Sequence, residues 1–380
     1  MAKFEFVNFS FKPEEFLVEE IGADGTLFEL DKAFALGKGE DQALERDYFT
    51  HFVLQKREWN TAQALGALAR FLHIKHLRFN FAGTKDRNAL TTQLCSVFAL
   101  PPDRLEQAKG RVKDVQINGS WKARGKVKLG DLQGNRFTIT PTAENCAGLM
   151  PIASRVLVKA HSAKFLFPNF FGLQRFGSIR HNTAEVGRHI LREEFEAAVM
   201  NYLAFSEGER DEESVAARKR LAEEKDFAKA GEYFPRHLKY ERMLLEHLAQ
   251  NPKDFVGALG KFPRSLLLMF IHAFQSKLFN LFLEERLRKD KLWLLEEKGK
   301  LIGSDSVLTE EEIALLDTEG IPQDSFKIKQ MPFLSSKGSE RPFFAELKEF
   351  QVLNENPLTL RFSLDAGCYA TVALSWLLKE

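Results

Sequence analysis

Alternating apolar and polar residues predict strands at both ends of the chain. Residues 4–11 predict an N-terminal strand, because they contain two pairs of phenylalanines whose members are two residues apart. Lys12-Pro13 would end this strand. Residues 77–83, 126–129 and 138–140 have the composition of short strands. Every second residue from Leu358 to Leu364 is apolar, so a strand is also expected near the C-terminus.

Helical spacing dominates the middle of the chain. A helix is expected to begin at Asn60-Thr61, because apolar residues then recur at i, i+3, i+4 and i+7 from Leu65. Residues 182–250 have a helical pattern, with a mixed-charge run at 209–225, and residues 265–287 predict a long buried helix. The order of segments predicts an α+β fold in which a largely helical segment interrupts a domain built on a mixed or antiparallel sheet.

Composition narrows the class of protein. The chain has 380 residues, of which 44% are hydrophobic and 28% charged, as in a globular protein of about two domains. No apolar run reaches the roughly 18–20 residues that span a bilayer. The N-terminus lacks a signal-peptide pattern, so we expect a cytoplasmic location. Cys95, Cys146 and Cys368 are too scattered for a metal site, and His73 and His76 lack further ligands nearby.

Charge is concentrated in one segment. The net charge is only +1, but residues 109–128 carry seven lysines and arginines against a single acid, Asp114. Such a run suits contacts with phosphates, which dominate affinity for nucleic acids. A solvated hairpin would have the same pattern.

The densest polar cluster lies in residues 81–93. A loop with Gly83 presents Asp86 between Lys85 and Arg87. Nearby cations favour an ionised carboxylate, which can act as nucleophile or base. The same sequence would also suit an aspartate with a purely structural role, in a turn where it pairs with Lys85 or Arg87. The letters do not fit the K-x-D-G motif of nucleotidyl transferases, a phosphate-binding P-loop or a G-x-S-x-G elbow.

Five segments, in the expected order, resemble the TruD family of pseudouridine synthases. The segments and the family blocks that they resemble are residues 12–20 (P-E-D-F-x-V-x-E), 81–93 (G-x-K-D-[KR]-x-A-x-T-x-Q), 128–137 (K-L-G-x-L-x-G-N-x-F), 168–177 (P-N-[YF]-F-G-x-Q-R-F-G) and 364–371 (L-x-A-G-[SC]-[FY]-A-T). The resemblance therefore spans nearly the whole chain.

The resemblance implies roles for individual residues. Asp86 matches the catalytic carboxylate. Phe16, Asn135 and Tyr369 match positions that line the uridine pocket, and Phe137 matches an aromatic residue near it, although both phenylalanines would also suit a plain core. Enzymes that act on a base extrude it and hold it against aromatic faces, and an asparagine can read the uracil edge.

Other positions depart from the family pattern or leave choices open. The family commonly has a lysine shortly before the proline of its N-terminal box, thought to pair with the catalytic aspartate, but Ser10 stands at that place here. Either Lys12 or another cation then pairs with Asp86. Lys85 is expected beside the substrate, and Arg175 is expected either to bind backbone phosphate or to form a structural salt bridge.

The resemblance also implies organisation and activity. It implies a discontinuous catalytic domain, residues 1–168 plus 341–380, and a family-specific insertion, residues 169–340. The reaction would be isomerisation of a uridine in tRNA, at position 13, by a monomer without an obligatory protein partner. Isomerisation has no redox or group-transfer step, so no cofactor or metal is expected. The rival interpretation is a non-catalytic RNA-binding or tRNA-folding factor on the same scaffold, which would tolerate Asp86→Asn.

Overall fold

A nine-stranded sheet forms the centre of one of the two units into which the chain divides. The sheet unit comprises Val7–Phe167 and Ala345–Glu380, and the helical unit comprises Met1–Phe6 and Pro168–Phe344. The computed structural model describes residues 6–7, 9–35, 48–141, 165–177, 179–289 and 297–378. The sequence-based limits after residue 168 and before residue 341 lie near this division, and their status as domain boundaries stays a prediction.

Parallel and antiparallel pairings occur in the same sheet. The strands of the described residues are β1 (Phe16–Gly22), β2 (Phe49–Arg57), β3 (Phe79–Phe81), β4 (Leu90–Phe98), β5 (Val115–Ala123), β6 (Leu132–Ile139), β7 (Phe165–Pro168), β8 (Lys298–Leu301), β9 (Ser339–Pro342), β10 (Phe344–Glu355) and β11 (Leu358–Asp365). The large sheet has the order β5-β2-β4-β1-β6-β11-β10-β7, and β3 pairs with β4. β1 and β4 are parallel, whereas β1 and β6 are antiparallel. The predicted α+β class with a mixed sheet is confirmed.

The sheet forks between β1 and β4. The two strands pair only from Leu17 opposite Leu90 to Glu19 opposite Thr92. From Cys95 onward, the same edge of β4 pairs with β3 instead of β1. The last residue of β3, Phe81, lies opposite Cys95. Residues 82–89, which we call the Asp86 loop, connect β3 to β4 and are therefore held at this fork.

Helix α1 (Thr61–Phe71) packs on the sheet as its sequence predicts. The side chain of Asn60 accepts a hydrogen bond of 2.8 Å from the backbone N–H of Gln63, which caps the first turn. Leu65 and Leu68 are buried in a core with Phe52 of β2. The expected start of this helix is confirmed.

The helical unit contains most of the remaining helices. They are α3 (Thr183–Leu191), α4 (Phe195–Ala204), α5 (Glu212–Glu224), α6 (Phe227–Tyr233), α7 (Lys239–Gln250), α8 (Phe255–Leu259), α9 (Arg264–Arg288) and α10 (Glu310–Glu319), whereas α2 (Pro102–Glu106) and α11 (Ala370–Leu378) belong to the sheet unit. Where α3 crosses α9, a Cβ on Gly187 would stand 2.1 Å from the carbonyl oxygen of Phe270, so only glycine permits this approach. Both predicted helical segments, 182–250 and 265–287, are confirmed.

Helix α9 is more apolar over its length than its short uninterrupted apolar runs suggest. By length and composition it could cross a membrane, contrary to the expectation that no run suffices. However, 61% of its most apolar 18-residue window is buried inside the protein, as in a core helix. Its apolar surface is thus largely explained by packing within the helical unit.

Several short strand predictions were wrong or too long. Residues 6–7 and 9–11 form no strand, and residues 1–5 lie outside the described part. Phe11 contacts Phe9 and Phe16 at centroid distances of 5.5 and 5.0 Å, so the phenylalanine spacing reflects ring packing. Residues 126–129 lie in the β5–β6 loop, because the strand ends earlier. The strand expected at 77–83 is limited to β3, whereas residues 358–364 do form β11.

Candidate active site

Buried side chains fix the Asp86 loop to its surroundings. Gln93 of β4 donates a hydrogen bond of 3.0 Å from Nε2 to the carbonyl oxygen of Gly83. Thr61 at the start of α1 accepts one of 3.0 Å from the backbone N–H of Lys85 and donates one of 2.8 Å to Gln93. The loop is thus tied to both a strand and a helix, while Asp86 itself is exposed.

Lys56 of β2 is the cation that the structure places beside Asp86. Its side chain is fully buried, and Nζ donates a hydrogen bond of 2.7 Å to the backbone carbonyl oxygen of Asp86. The Asp86 carboxylate forms no direct ion pair with any residue in the described part of the chain, so the Lys56 charge acts on it without direct contact. Lys12 is exposed, and its backbone N–H donates to the side chain of Glu15.

The two groups influence each other's ionisation. Desolvation raises the pKa of Asp86, and the positive charges of Lys56 and Lys85 oppose that rise. Asp86 is exposed as a residue, while protein atoms packed around its carboxylate desolvate that group. Burial lowers the pKa of Lys56 to about 8, with the Asp86 charge opposing the decrease. At that pKa Lys56 is still mostly charged at neutral pH and loses its proton near pH 8.

Glu20 and Lys85 form a buried ion pair at the fork of the sheet. Lys85 Nζ lies 2.5 Å from Glu20 Oε2, and both side chains are almost inaccessible to solvent. Glu20 Oε1 accepts a hydrogen bond of 2.9 Å from the backbone N–H of Leu94, beyond the point where β1 pairs with β4. Burial raises the pKa of Glu20, and Lys85 opposes this most strongly. Lys85 thus points inward and supports the loop; its contact with substrate stays a prediction.

One row of residues connects this region to β6. Strand register places Lys56 (β2), Thr91 (β4), Val18 (β1), Phe137 (β6) and Phe362 (β11) next to one another across five strands. Because side chains two apart share a face, Asn135 lies on the same side of the sheet as Phe137. The expected pocket residue Asn135 and the cation Lys56 therefore share one face of the sheet.

Asn135 carries an unused hydrogen-bond acceptor. Its Oδ1 atom is buried and has no partner among the described residues, and the same is true of the Thr91 hydroxyl oxygen. An unsatisfied buried polar group costs about 1–3 kcal/mol, so such atoms mark positions where a ligand can supply the missing partner. Gly134 fixes the backbone here, because a Cβ on it would stand 2.0 Å from the carbonyl oxygen of Leu364.

The aromatic residues expected at the pocket are partly in the core. Phe16 and Phe137 are buried, with ring centroids 6.0 Å apart, and Phe137 also contacts Phe362 at 5.7 Å. Tyr369 is half-buried in the turn before α11. A role of these rings in stacking on uracil stays a prediction.

The basic run at 109–128 does not form one continuous segment. Strand β5 separates Lys109, Arg111 and Lys113 from the basic residues at its other end, which continue into the β5–β6 loop. In the helical unit, Arg175 donates a hydrogen bond of 3.0 Å from Nε to Ser276 Oγ. No salt bridge of Arg175 is found among the described residues, and its contact with phosphate stays a prediction.

No cluster suited to a metal ion occurs in the ranges that the structure describes. Groups of three or more His, Cys, Asp and Glu side chains are absent there. Cys95 is buried, Cys368 is half-buried, and Cys146 lies outside the described residues.

Sequence reasoning missed Lys56, although a signal was available. In β2, Phe52 and Leu54 point into the core, and Lys56 follows at the same parity. A charged side chain at an inward position of a strand requires a buried partner, which would have directed attention to the Asp86 loop. The sequence could not identify Asp86 as the partner of Lys56, because the two residues are brought together by pairing between strands that are far apart in the chain.

Comparisons with known proteins agree on one family. The family model described as tRNA pseudouridine synthase D (TruD) matches residues 8–307 and 298–376. A protein named probable tRNA pseudouridine synthase D in Methanopyrus kandleri is 35% identical, covering 87% of this chain and 85% of its own. One of the same name in Methanococcus aeolicus is 29% identical over 97% of this chain and 94% of its own. The crystal structure of a protein from Methanosarcina mazei assigned as TruD has a TM-score of 0.69 at 28% identity, covering 100% of this chain and 95% of that one.

Proposed function

The chain belongs to the TruD family of tRNA pseudouridine synthases, and on this premise we propose that Asp86 is the carboxylate with which it isomerises a uridine of tRNA. The observation that carries the proposal is the setting of Asp86. It stands exposed in a loop that buried hydrogen bonds hold in place, and a buried lysine supports its negative charge.

The reaction rearranges bonds within the substrate. The bond between uracil N1 and ribose C1′ breaks, the base turns, and a bond between C5 and C1′ forms. The proton on C5 is released, and N1 gains a proton, so no oxidant or group donor is consumed. Asp86 takes part either by adding to the ribose carbon or by removing a sugar proton, and both routes need the carboxylate in its ionised form.

Lys56 supplies the charge that keeps Asp86 ionised. Desolvation alone would favour the protonated acid, which is inactive in both routes. Because Lys56 hydrogen-bonds to the Asp86 backbone, its charge is fixed near the carboxylate without occupying the oxygens that must reach the sugar. We therefore assign to Lys56, and not to Lys12, the role of the cation that supports the charge of Asp86. Lys56 acts as a positioning residue.

The extruded uracil is proposed to lie over the sheet face that carries Asn135. The unpartnered Oδ1 of Asn135 can accept a hydrogen bond from the N3–H of uracil. Phe16, Phe137 and Tyr369 are proposed to enclose the base. Position 13 of tRNA is the proposed target, because the motifs resemble the family to which that position is attributed. We further propose that the protein acts as a monomer in the cytoplasm.

The test compares Asp86→Asn with the wild type on transcribed tRNA. Pseudouridine would be mapped by mass spectrometry, and RNA binding would be followed by fluorescence anisotropy. We expect Asp86→Asn to lower the rate by at least about 10³-fold while tRNA affinity changes little. Asp103→Asn, an exposed aspartate of α2, is the matched control and should retain full activity.

The outcomes separate the enzyme from its rival. Full activity of Asp86→Asn would remove the catalytic role of this residue. If the wild type binds tRNA but forms no pseudouridine in any species, the non-catalytic RNA-binding or tRNA-folding factor replaces the enzyme. A modified uridine at another position would retain the enzyme and replace position 13.

A further inference from the structure

A recess adjoins the Asp86 loop on the side of α1. Its volume is about 590 Å³, within the range of roughly 300–1,000 Å³ typical of ligand pockets. The lining includes Trp59, Gln63, Gly66, Arg70 and Arg87. All of these residues belong to the sheet unit, and Arg87 follows Asp86 directly in the chain.

The charge of the recess suits an anion. Arg70 and Arg87 are exposed and form no ion pair or side-chain hydrogen bond with the described residues. Glu58 is the acid of the lining, and Arg57 lies 4.0 Å from its carboxylate. The guanidinium groups of Arg70 and Arg87 are therefore available to a ligand. One guanidinium group can donate two parallel hydrogen bonds to two oxygens of the same phosphate.

An aromatic ring stands in the same recess in a fixed orientation. The indole Nε1 of Trp59 donates a hydrogen bond of 3.2 Å to the carbonyl oxygen of Lys113. Trp59 is half-buried against the core of the sheet unit, so its ring is held on one side and lines the recess on the other. Any base can stack on the face of such a ring.

Helix α1 leaves room for a planar group. Ala62, Gly66 and Arg70 follow one another at intervals of four and therefore lie on one side of the helix. A Cβ on Gly66 would meet no atom within 4 Å, so the space above this glycine is empty. The backbone N–H of Glu58 donates to the carbonyl oxygen of Ala89 over 3.4 Å, which links the recess to the Asp86 loop.

One large recess elsewhere in the described residues has the opposite character. It has a volume of about 820 Å³, lies in the helical unit, and has Glu193, Glu194, Glu196 and Asp254 in its lining. Carboxylates repel the phosphates of RNA, so this recess does not suit the same ligand.

Resting on the proposed function, we propose that the recess at Trp59 binds a second nucleotide of the substrate RNA, next to the uridine that is isomerised. Its phosphate lies between Arg70 and Arg87, and its base stacks on Trp59. The recess thereby holds the RNA strand beside the extruded uridine.

The first test removes one cation. Arg70→Ala should raise KM for tRNA about tenfold, with a smaller effect on kcat, because it removes a charged hydrogen bond to substrate. The slope of log affinity against log salt concentration should decrease by about 1, as expected for one lost phosphate contact. Arg104→Ala removes an exposed arginine of α2 outside the recess and controls for the loss of one positive charge. It should leave both quantities unchanged.

The second test fills the recess. Gly66→Leu places a side chain in the empty space, and Gly231→Leu does the same on α6 of the helical unit, where a Cβ also meets no atom. We expect Gly66→Leu to raise KM about tenfold or more, because stacking on Trp59 is blocked. Gly231→Leu should behave as the wild type. Circular dichroism and the unfolding midpoint verify that both variants fold.

The outcomes distinguish this proposal from the proposed function. If the wild type forms no pseudouridine, the proposed function fails. If the wild type is active and both Arg70→Ala and Gly66→Leu match their controls in KM and salt slope, the recess does not bind RNA. A loss confined to kcat would also overturn the proposal, since it would indicate an effect on chemistry instead of binding.

Discussion

The Nζ atom of Lys56 lies 2.7 Å from the carbonyl oxygen of Asp86, and the lysine side chain is completely buried. A lysine bound to the backbone of a residue both fixes the loop and places a positive charge near the carboxylate. The carboxylate oxygens remain available for the substrate. The pair therefore combines support of the loop with control of ionisation.

Lys56→Met should change the pH dependence of catalysis. Loss of the positive charge lets desolvation raise the pKa of Asp86 further, so the rise of activity with pH should move to higher pH. At pH 6 we expect a loss of roughly tenfold or more, and a smaller loss at pH 8. Above about pH 8 Lys56 itself loses its charge, so the activities of the wild type and of Lys56→Met should converge there.

Single-turnover rates from pH 5 to 10 would measure this. Lys12→Met, which removes an exposed lysine, should reproduce the wild-type profile. If Lys56→Met and the wild type had parallel profiles, Lys56 would have no influence on the ionisation of Asp86. A profile changed by Lys12→Met would instead make Lys12 the partner of the aspartate.

Local motifs identified the parts of the site that lie in single segments. The cluster at 81–93 indicated Asp86, and alternation indicated the strand that ends at Asp365. The fork between β1 and β4 could not be predicted, because pairing between strands far apart in sequence leaves no local pattern. Glu20 and Lys56 acquire their roles only through that pairing.

Sequence patterns also failed where apolar residues do not mark regular structure. Val127 is buried in a loop, and its backbone N–H donates to Ser96 Oγ, so an apolar residue between lysines gave the appearance of a strand. Phe9 and Phe11 alternate but pack ring against ring. In both cases the apolar residues pack against other side chains without belonging to a strand. Periodicity alone does not distinguish such residues from those of a real strand.

Glu20→Gln should strongly destabilise the sheet unit. It leaves Lys85 charged and buried without its partner, and breaking a buried ion pair costs about 3–5 kcal/mol. Glu20→Leu combined with Lys85→Met should recover much of the loss, because no buried charge remains. Glu14→Gln breaks the exposed pair with Arg57 in the same unit and should cost less than about 1 kcal/mol.

Urea unfolding followed by circular dichroism would report the free energy of unfolding of each variant. The decisive comparison is between the single and the double substitution. Equal losses for Glu20→Gln and the double variant would show that packing, not the unpaired charge, determines the cost.

Asn135→Leu should separate stability from activity. The buried Oδ1 of Asn135 has no partner in the described part of the chain, so its removal takes away an unsatisfied acceptor. Replacement by an apolar side chain of similar size should leave the free energy of unfolding unchanged or raise it by up to about 1 kcal/mol. The same change removes the acceptor proposed for uracil N3–H, and kcat/KM should decrease by at least about 100-fold.

Asn118→Leu provides the contrasting control, because the Asn118 side chain donates a hydrogen bond of 2.8 Å to Gln55 Oε1. It should lose about 1 kcal/mol of stability and keep its activity. Urea unfolding and pseudouridine formation would be measured on both variants. An Asn135→Leu protein that remained fully active would mean that the uracil edge is read elsewhere. One that unfolded readily would mean that the amide is already satisfied in the free protein, since only a group in use is costly to remove.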